Sequence, residues 1–339
     1  MMIFVIIVFF VVIFSLNFRY NKEKYLNKND TTVINGICTL LIFFSHSTQY
    51  WLLSTNFSDR LYQHFQNFHN QWIVAPFLFF SGYGVMWSIQ NRECYLKFYP
   101  YNRIIKTLLN FDIVVIIYII VSYLLGFNYS TTTILLSLVG IKSVGNSNWY
   151  IFAILFMYTA SYISSRITSN KSLSVVILFL VTIIYCICVS SINMGDRFYS
   201  TIFCYPFGSF VAIYKDNIMN IIQNNKIKVL LVLLCILILT YNFRIYPMLM
   251  NLSSVAIVML LIYFLYFFEI SSNILYFVGK HAFSIFILQR IPGMLLQNIY
   301  FQDDYMKYLM IILDLLITIF LAIYFDKLIV KFDQILFLN

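Results

Sequence analysis

The side chains able to do chemistry in this sequence are the few ionisable groups inside its apolar runs: His46, Asp112, His281, Arg290 and Asp314. Such groups are costly in an oily segment and point to function by default. His46 is the most informative. It follows Leu40-Leu41-Ile42-Phe43-Phe44-Ser45 and precedes Ser47, Thr48 and Gln49, a polar pocket in an otherwise oily helix. An imidazole changes charge near neutral pH and can take a proton from a hydroxyl nucleophile. The same side chain is equally a bundle histidine satisfied by a carbonyl or a serine. With the helix starting near Val33, His46 stands about 20 Å along it at ~1.5 Å per residue, past the midplane.

Other segments add pieces. Ser81-Gly82-Tyr83-Gly84 sits mid-run, where its glycines permit a helix break or a close helix approach. Arg103 and Lys106 are three apart, so they are expected on one helix face, as a phosphate clamp or as a plain positive anchor. Asp112 and Asp314 are expected in structural ion pairs or hydrogen bonds. Trp149-Tyr150 opens a span and reads alone as an interfacial aromatic belt. The six cysteines lack metal-ligand spacing, and Cys186 and Cys188 point to different helix faces. They are expected as small apolar packing residues, with no metal site and no disulfide.

The elements that must position these groups are set by composition. Of 339 residues, 61% are hydrophobic and only 10% are charged, against roughly 25% charged in soluble domains. Too few charges remain for a polar skin, which excludes a soluble enzyme, a disordered chain and a secreted mini-domain. The expected fold is all-α, a polytopic membrane helical bundle of about 10–11 spans, each needing about 20 apolar residues. Eleven runs qualify: 2–18, 33–53, 72–90, 104–126, 148–165, 172–192, 198–214, 228–242, 247–269, 273–290 and 308–329. The runs at 198–214 and 228–242 are short or interrupted. Residues 1–339 form one domain, with 1–18 an extra N-terminal span that lacks the basic start and cleavage site of a signal peptide.

Loop charge sets orientation. Arg19, Lys22, Lys24 and Lys28 fill the first loop; Arg92, Lys97, Arg103 and Lys106 the third; Arg166 and Lys171 the fifth; Lys215, Lys226 and Lys228 the seventh. The even loops up to the eighth hold single cations: Arg60, Lys142, Arg197 and Arg244. Odd loops are thus expected in the cytoplasm, with the N-terminus outside and the C-terminus inside. The ninth and tenth loops break the pattern, with Arg290 and Lys307 in the tenth. A net charge of +9 is a topology signal and needs no nucleic acid to explain it.

In order and spacing, these pieces resemble acyltransferase family 3, the bacterial integral-membrane O-acyltransferases of cell-surface glycans, over residues 33–330. That family carries a basic residue, ten others, then a histidine in its first core helix; Asn35 and His46 stand at that spacing, the histidine kept and the basic residue lost. Phe79-Phe80-Ser81-Gly82-Tyr83 matches its phenylalanine-rich Ser-Gly-Tyr segment. Phe98, Arg103 and Lys106 match an aromatic residue and a basic pair, and Trp149-Tyr150-Ile151 a tryptophan-led span. Gly279-Lys280-His281-Ala282 and Ile285-Phe286-Ile287-Leu288-Gln289 fill the places of two late motifs, with Ala282 for a serine and Gln289 for a histidine.

The resemblance implies the single-domain branch, in the bacterial inner membrane, moving an acyl group from cytoplasmic acyl-CoA to a hydroxyl of an outer or lipid-linked glycan. The group would be acetyl, with acetyl-CoA a co-substrate and no bound cofactor. It implies His46 as general base, with Arg103 and Lys106 where the CoA phosphates arrive. Asn35, Ser81, Tyr83, Trp149 and Gln289 would line the donor or acceptor path. Ser45, Ser47, Tyr83 and Gln289 are the candidate donors to the oxyanion. An acyl-histidine relay, a glycan or lipid transporter or flippase, and a non-catalytic acyl-CoA or lipid binder stay open beside this reading. So does self-association into a homo-oligomer.

Overall fold

Backbone in lipid must satisfy its own N–H and C=O groups, so each apolar run is driven into a helix. The computed structural model describes residues 2–20, 26–51, 53–297, 299 and 304–337. In chain order the elements are α1 (Met2–Phe14), β1 (Asn17–Tyr20), α2 (Lys28–Ser47), α3 (Phe57–His69), α4 (Ala75–Asn91), α5 (Tyr95–Tyr99), α6 (Lys106–Leu124) and α7 (Thr131–Leu138). Then come α8 (Trp149–Ile167), α9 (Lys171–Ser191), α10 (Cys204–Ile213), α11 (Lys215–Asn224), α12 (Lys226–Tyr241) and α13 (Pro247–Phe267). The chain ends with β2 (Phe268–Ser271), α14 (Asn273–Lys280), α15 (Ala282–Leu288), α16 (Arg290–Leu296) and α17 (Asp304–Phe337). The fold is an all-α bundle, and the chain is a multi-pass membrane protein.

All eleven runs are helical, but not as eleven equal rods. Among the described residues five stretches are long and apolar enough to cross a bilayer, or seven if two bent pairs each count once. The runs at 2–18 and 198–214 give helices of 13 and 10 residues, too short alone for a core about 30 Å thick. The run at 273–290 breaks at His281, where α14 meets the helical stretch Ala282–Leu296 at 62°. The segment before α4, expected as a plain loop, contains α3. Asn56 caps it by accepting the Asp59 N–H at 2.7 Å. Asp59 is buried and in turn accepts from Ser54 N (2.7 Å) and Lys307 Nζ (2.8 Å), tying α3 to α17.

Two helix crossings are so tight that only glycine fits. A Cβ at Gly279 would lie 1.9 Å from the Thr32 carbonyl oxygen, and one at Gly36 2.1 Å from that of Leu275, so α2 and α14 touch backbone to backbone. α4 and α10 do the same through Gly82 and Gly208. Small residues permit such approach where no hydrophobic force between helices is available. α4 itself runs unbroken through Gly82 and Gly84.

The two-stranded antiparallel sheet β1–β2 pairs Asn17 with Ser271 and Tyr20 with Phe268, so the first and ninth loops meet at one end. At that end Lys28, Arg92, Arg103 and Lys215, from the first, third and seventh loops, line one pocket. Arg197 and Arg244, from the sixth and eighth, line another. Lys22 and Lys24 lie outside the described residues.

Candidate active site

α2 supplies one wall. Asn35, Thr39, Ile42 and His46 recur at helical spacing and share a face. The first three line a cavity of about 260 Å³ with Ser81 of α4, Tyr150 of α8, Lys280 and Gln289. His46 lines a second cavity of about 340 Å³ with Ser45, Gln66, His69, Trp149 and Arg197. Ile42, Val74 and Phe286 belong to both, so the two adjoin. Beyond the second lies a vestibule of about 520 Å³, which shares Asn70, Gln71, Trp149 and Arg197 with it. Further along α4, Tyr83 and Trp87 help line the basic pocket, about 620 Å³.

Around the imidazole, the Gln289 side chain is the polar neighbour, and Arg290 and Arg197 are the neighbouring cations. Phe286 packs at 6.3 Å between ring centroids, tilted by 50°. Among the described residues the buried His46 Nδ1, Ser45 Oγ and Gln289 Oε1 make no hydrogen bond of ordinary geometry. Gln289 is held by donating Nε2 to the Phe286 carbonyl at 3.0 Å. Unmet polar atoms around an imidazole suit a site that completes its bonds with a bound molecule. Arg290 donates to the Gly145 carbonyl at 3.4 Å, its buried Nε is unpartnered, and among the described residues no carboxylate pairs with it.

The fold gathers Asn35, Ser81 and Gln289 into one cavity and places Trp149 at the mouth of the next. Trp149 therefore faces polar cavities, where the aromatic-belt reading had it in the interface. Tyr83 lines the basic pocket and neither of the two cavities bordered by Asn35 and His46. Ser47 turns inward and donates to the Phe44 carbonyl at 2.9 Å. Ser45 and Gln289 remain beside the imidazole.

Arg103 and Lys106 do not share a face as spacing implied. Pro100–Ile105 is wound as a π-helix, whose i→i+5 bonding shifts the phase of the helix beyond it. Arg103 donates Nε to the Tyr95 hydroxyl at 3.0 Å and stacks over Tyr158, 5.9 Å away. Tyr158 also lines the 260 Å³ cavity, so Arg103 connects the basic pocket with it. Lys106 points to α17 and pairs with Asp333.

Asp314 accepts from Trp51 Nε1 and Thr318 Oγ1, both at 3.5 Å. Asp112 forms no ion pair among the described residues, and its Oδ1 is buried without a partner. His281, at the helix break, pairs with Asp326, which also accepts from Ser284. All six cysteines are free, with Cys186 buried and Cys188 exposed. No three His, Cys, Asp or Glu side chains converge as metal ligands among the described residues.

Lys28, Arg92, Lys215, Arg197 and Arg244 carry only an orientation signal in the sequence, and Gln66 and His69 carry none. Their loop positions are the same for an anchor and for a pocket wall, so spacing could not have found them. In comparison with known proteins, the chain matches no family model, no curated protein and no solved structure.

Proposed function

We propose that this chain is a membrane O-acyltransferase that takes a short acyl group from cytoplasmic acyl-CoA and passes it to a hydroxyl of an outer or lipid-linked glycan. The observation that carries this reading is the series of cavities: a basic pocket, a small cavity beside it, then the His46 cavity open to a polar vestibule. Lys28, Arg92, Arg103 and Lys215 suit the phosphates of the donor, with Trp87 and Tyr83 as ring surfaces beside them. The 260 Å³ cavity suits an acyl thioester and little more. This division assigns the basic end to the cytoplasm, in line with the loop charges.

His46 takes the proton of the acceptor hydroxyl. The hydroxyl oxygen attacks the thioester carbonyl carbon and forms a tetrahedral oxyanion. The Gln289 amide and the nearby arginines stabilise that charge. Collapse breaks the C–S bond, and the departing thiolate takes the proton from the imidazolium.

The experiment is mass spectrometry of O-acyl esters on the host's surface glycan, comparing wild type, a deletion, and the deletion complemented with His46→Ala at matched protein level. Ester lost on deletion and not restored by His46→Ala supports the reading, with a loss of roughly 10²–10⁴-fold expected for a missing general base. Ester restored by His46→Ala removes His46 from the chemistry. A transport conduit is the second reading, favoured by the same serial cavities; ester unchanged by deletion, with glycan or lipid export lost, decides for it.

A further inference from the structure

The vestibule beyond His46 holds more positive charge than the protein neutralises. Arg197 and Arg244 both line it. Arg197 makes no hydrogen bond or ion pair among the described residues, and it extends into the His46 cavity. Arg244 is fixed in place without being neutralised. It donates to the carbonyls of Phe68 (2.6 Å), Tyr241 (3.0 Å) and Asn67 (3.3 Å), and its guanidinium stacks on Trp72 and Tyr241 at 4.5 and 4.1 Å. One acid, Asp196, shares the vestibule. Its Oδ1 accepts the Tyr199 hydroxyl at 2.7 Å, and it forms no ion pair with either arginine. Arg290, deeper and also without a carboxylate, adds a third cation on the approach to His46.

We infer that the acceptor bound in this vestibule carries an anionic group, a sugar carboxylate or a phosphate, which Arg197 and Arg244 hold while a hydroxyl reaches His46. Guanidinium groups match carboxylate and phosphate oxygens with paired hydrogen bonds, which fixes orientation as well as charge. The rest of the wall suits a sugar: Trp149 offers a ring face, and Asn70, Gln71 and Asn148 offer amide donors and acceptors. Arg197 is exposed in the vestibule and has no partner among the described residues, so its guanidinium stands ready to pair with an anion that enters, and a neutral glycan would make no use of it. The inference rests on the acyl-transfer reading for the acceptor's role, and the binding it requires is measurable without any transfer.

The test uses the full chain in nanodiscs of phosphatidylcholine, free of anionic lipid. Three probes are titrated: a hexasaccharide of alternating glucuronate and N-acetylglucosamine, the same oligomer with its carboxyls reduced to alcohols, and a glycerol-phosphate hexamer. At least one anionic probe is expected to bind roughly tenfold or more tighter than the reduced one, with an advantage that shrinks as salt rises. Whichever anion wins identifies the source as carboxylate or phosphate. Arg197→Gln and Arg244→Gln should each remove most of that advantage, and Arg197→Lys should keep part of it. Because Arg244 also ties down three carbonyls, Arg197→Gln decides if Arg244→Gln is not monodisperse. Equal binding of reduced and anionic probes, no binding of either anionic probe, or an unchanged preference in Arg197→Gln overturns the inference. The anion preference is read on the wild-type chain with no acyl donor present, and acyl transfer is read by the ester assay, so failure of the acyl-transfer reading and failure of this inference show up separately.

Discussion

An alanine at position 82 would place its methyl 2.0 Å from the Tyr205 carbonyl oxygen of α10, where ordinary contact begins at 3.4 Å. The obstacle is backbone, so no side-chain rotation relieves it, and α4 and α10 must separate by about 1.4 Å. A Cβ at Gly208 would likewise lie 2.1 Å from the Phe79 carbonyl oxygen, so the same crossing is tight from both helices. The Ser209 Oγ bond to the Gly82 carbonyl, 3.1 Å long, stretches out of range. Overpacking of this kind costs roughly 1–3 kcal/mol. Gly84 lies two residues on in the same helix, and nothing stands within 4 Å of a Cβ there. Gly84→Ala should therefore gain up to about 1 kcal/mol of helix propensity. The gap between the two variants is roughly 1–4 kcal/mol. Thermal unfolding of the detergent-purified chain, followed by tryptophan fluorescence, reads it directly: Gly82→Ala melts below wild type and Gly84→Ala at or above it. Equal melting of the two variants, or a stable Gly82→Ala, would refute the claim that α4 and α10 meet backbone to backbone.

Three further outcomes are expected. Arg103→Ala should weaken binding of acyl-CoA by roughly tenfold in isothermal titration. Lys106→Ala should leave that binding nearly unchanged and cost about 0–1 kcal/mol of stability, because its partner is the partly exposed Asp333. Lys307→Met should destabilise the chain by about 1–3 kcal/mol, since it strips a charge from the fully buried Asp59, which keeps its Ser54 donors. Asp59→Asn in the same background should recover part of the loss, measured by limited proteolysis ahead of α3. His69→Phe should retain most O-acyl transfer while His46→Ala loses it. His69 lines the same cavity and its Nε2 has no partner among the described residues, yet its polar neighbours are Asn70 and Arg244 where His46 has Gln289, and Phe preserves its edge-on contact with Phe65 at 5.0 Å. A dead His69→Phe with an active His46→Ala would move the base to α3.

The sequence made the membrane class legible because apolar runs of span length have few other uses. It made the α2 wall legible because His46 stands eleven positions after Asn35, close to three helical turns. The features it hid have physical causes. The phase of Lys106 depends on a π turn that begins at Pro100, and a π turn leaves no mark in residue spacing. The break at His281 is stabilised by Asp326, 45 residues downstream, a pairing only the fold creates. α3 was obscured by the polar residues that cover its outer face, and Asp59, which reads as a surface acid, is its buried anchor.

The uncharged Asn35 shows how position on a face and position in space differ. By spacing alone, an asparagine where the resembled family has a cation leaves the inner part of the path without charge. The crossing of α2 and α14 at Gly36 and Gly279 changes that, because it draws Lys280 to the wall that Asn35 lines. The Asn35 Oδ1, buried and unpartnered, and the Lys280 cation thus border the same small cavity. A positive charge therefore borders this cavity, delivered by α14. The two glycines that bring the helices together are in this sense part of the site: without backbone contact at Gly279, the residue after it would stand a side chain's width further away.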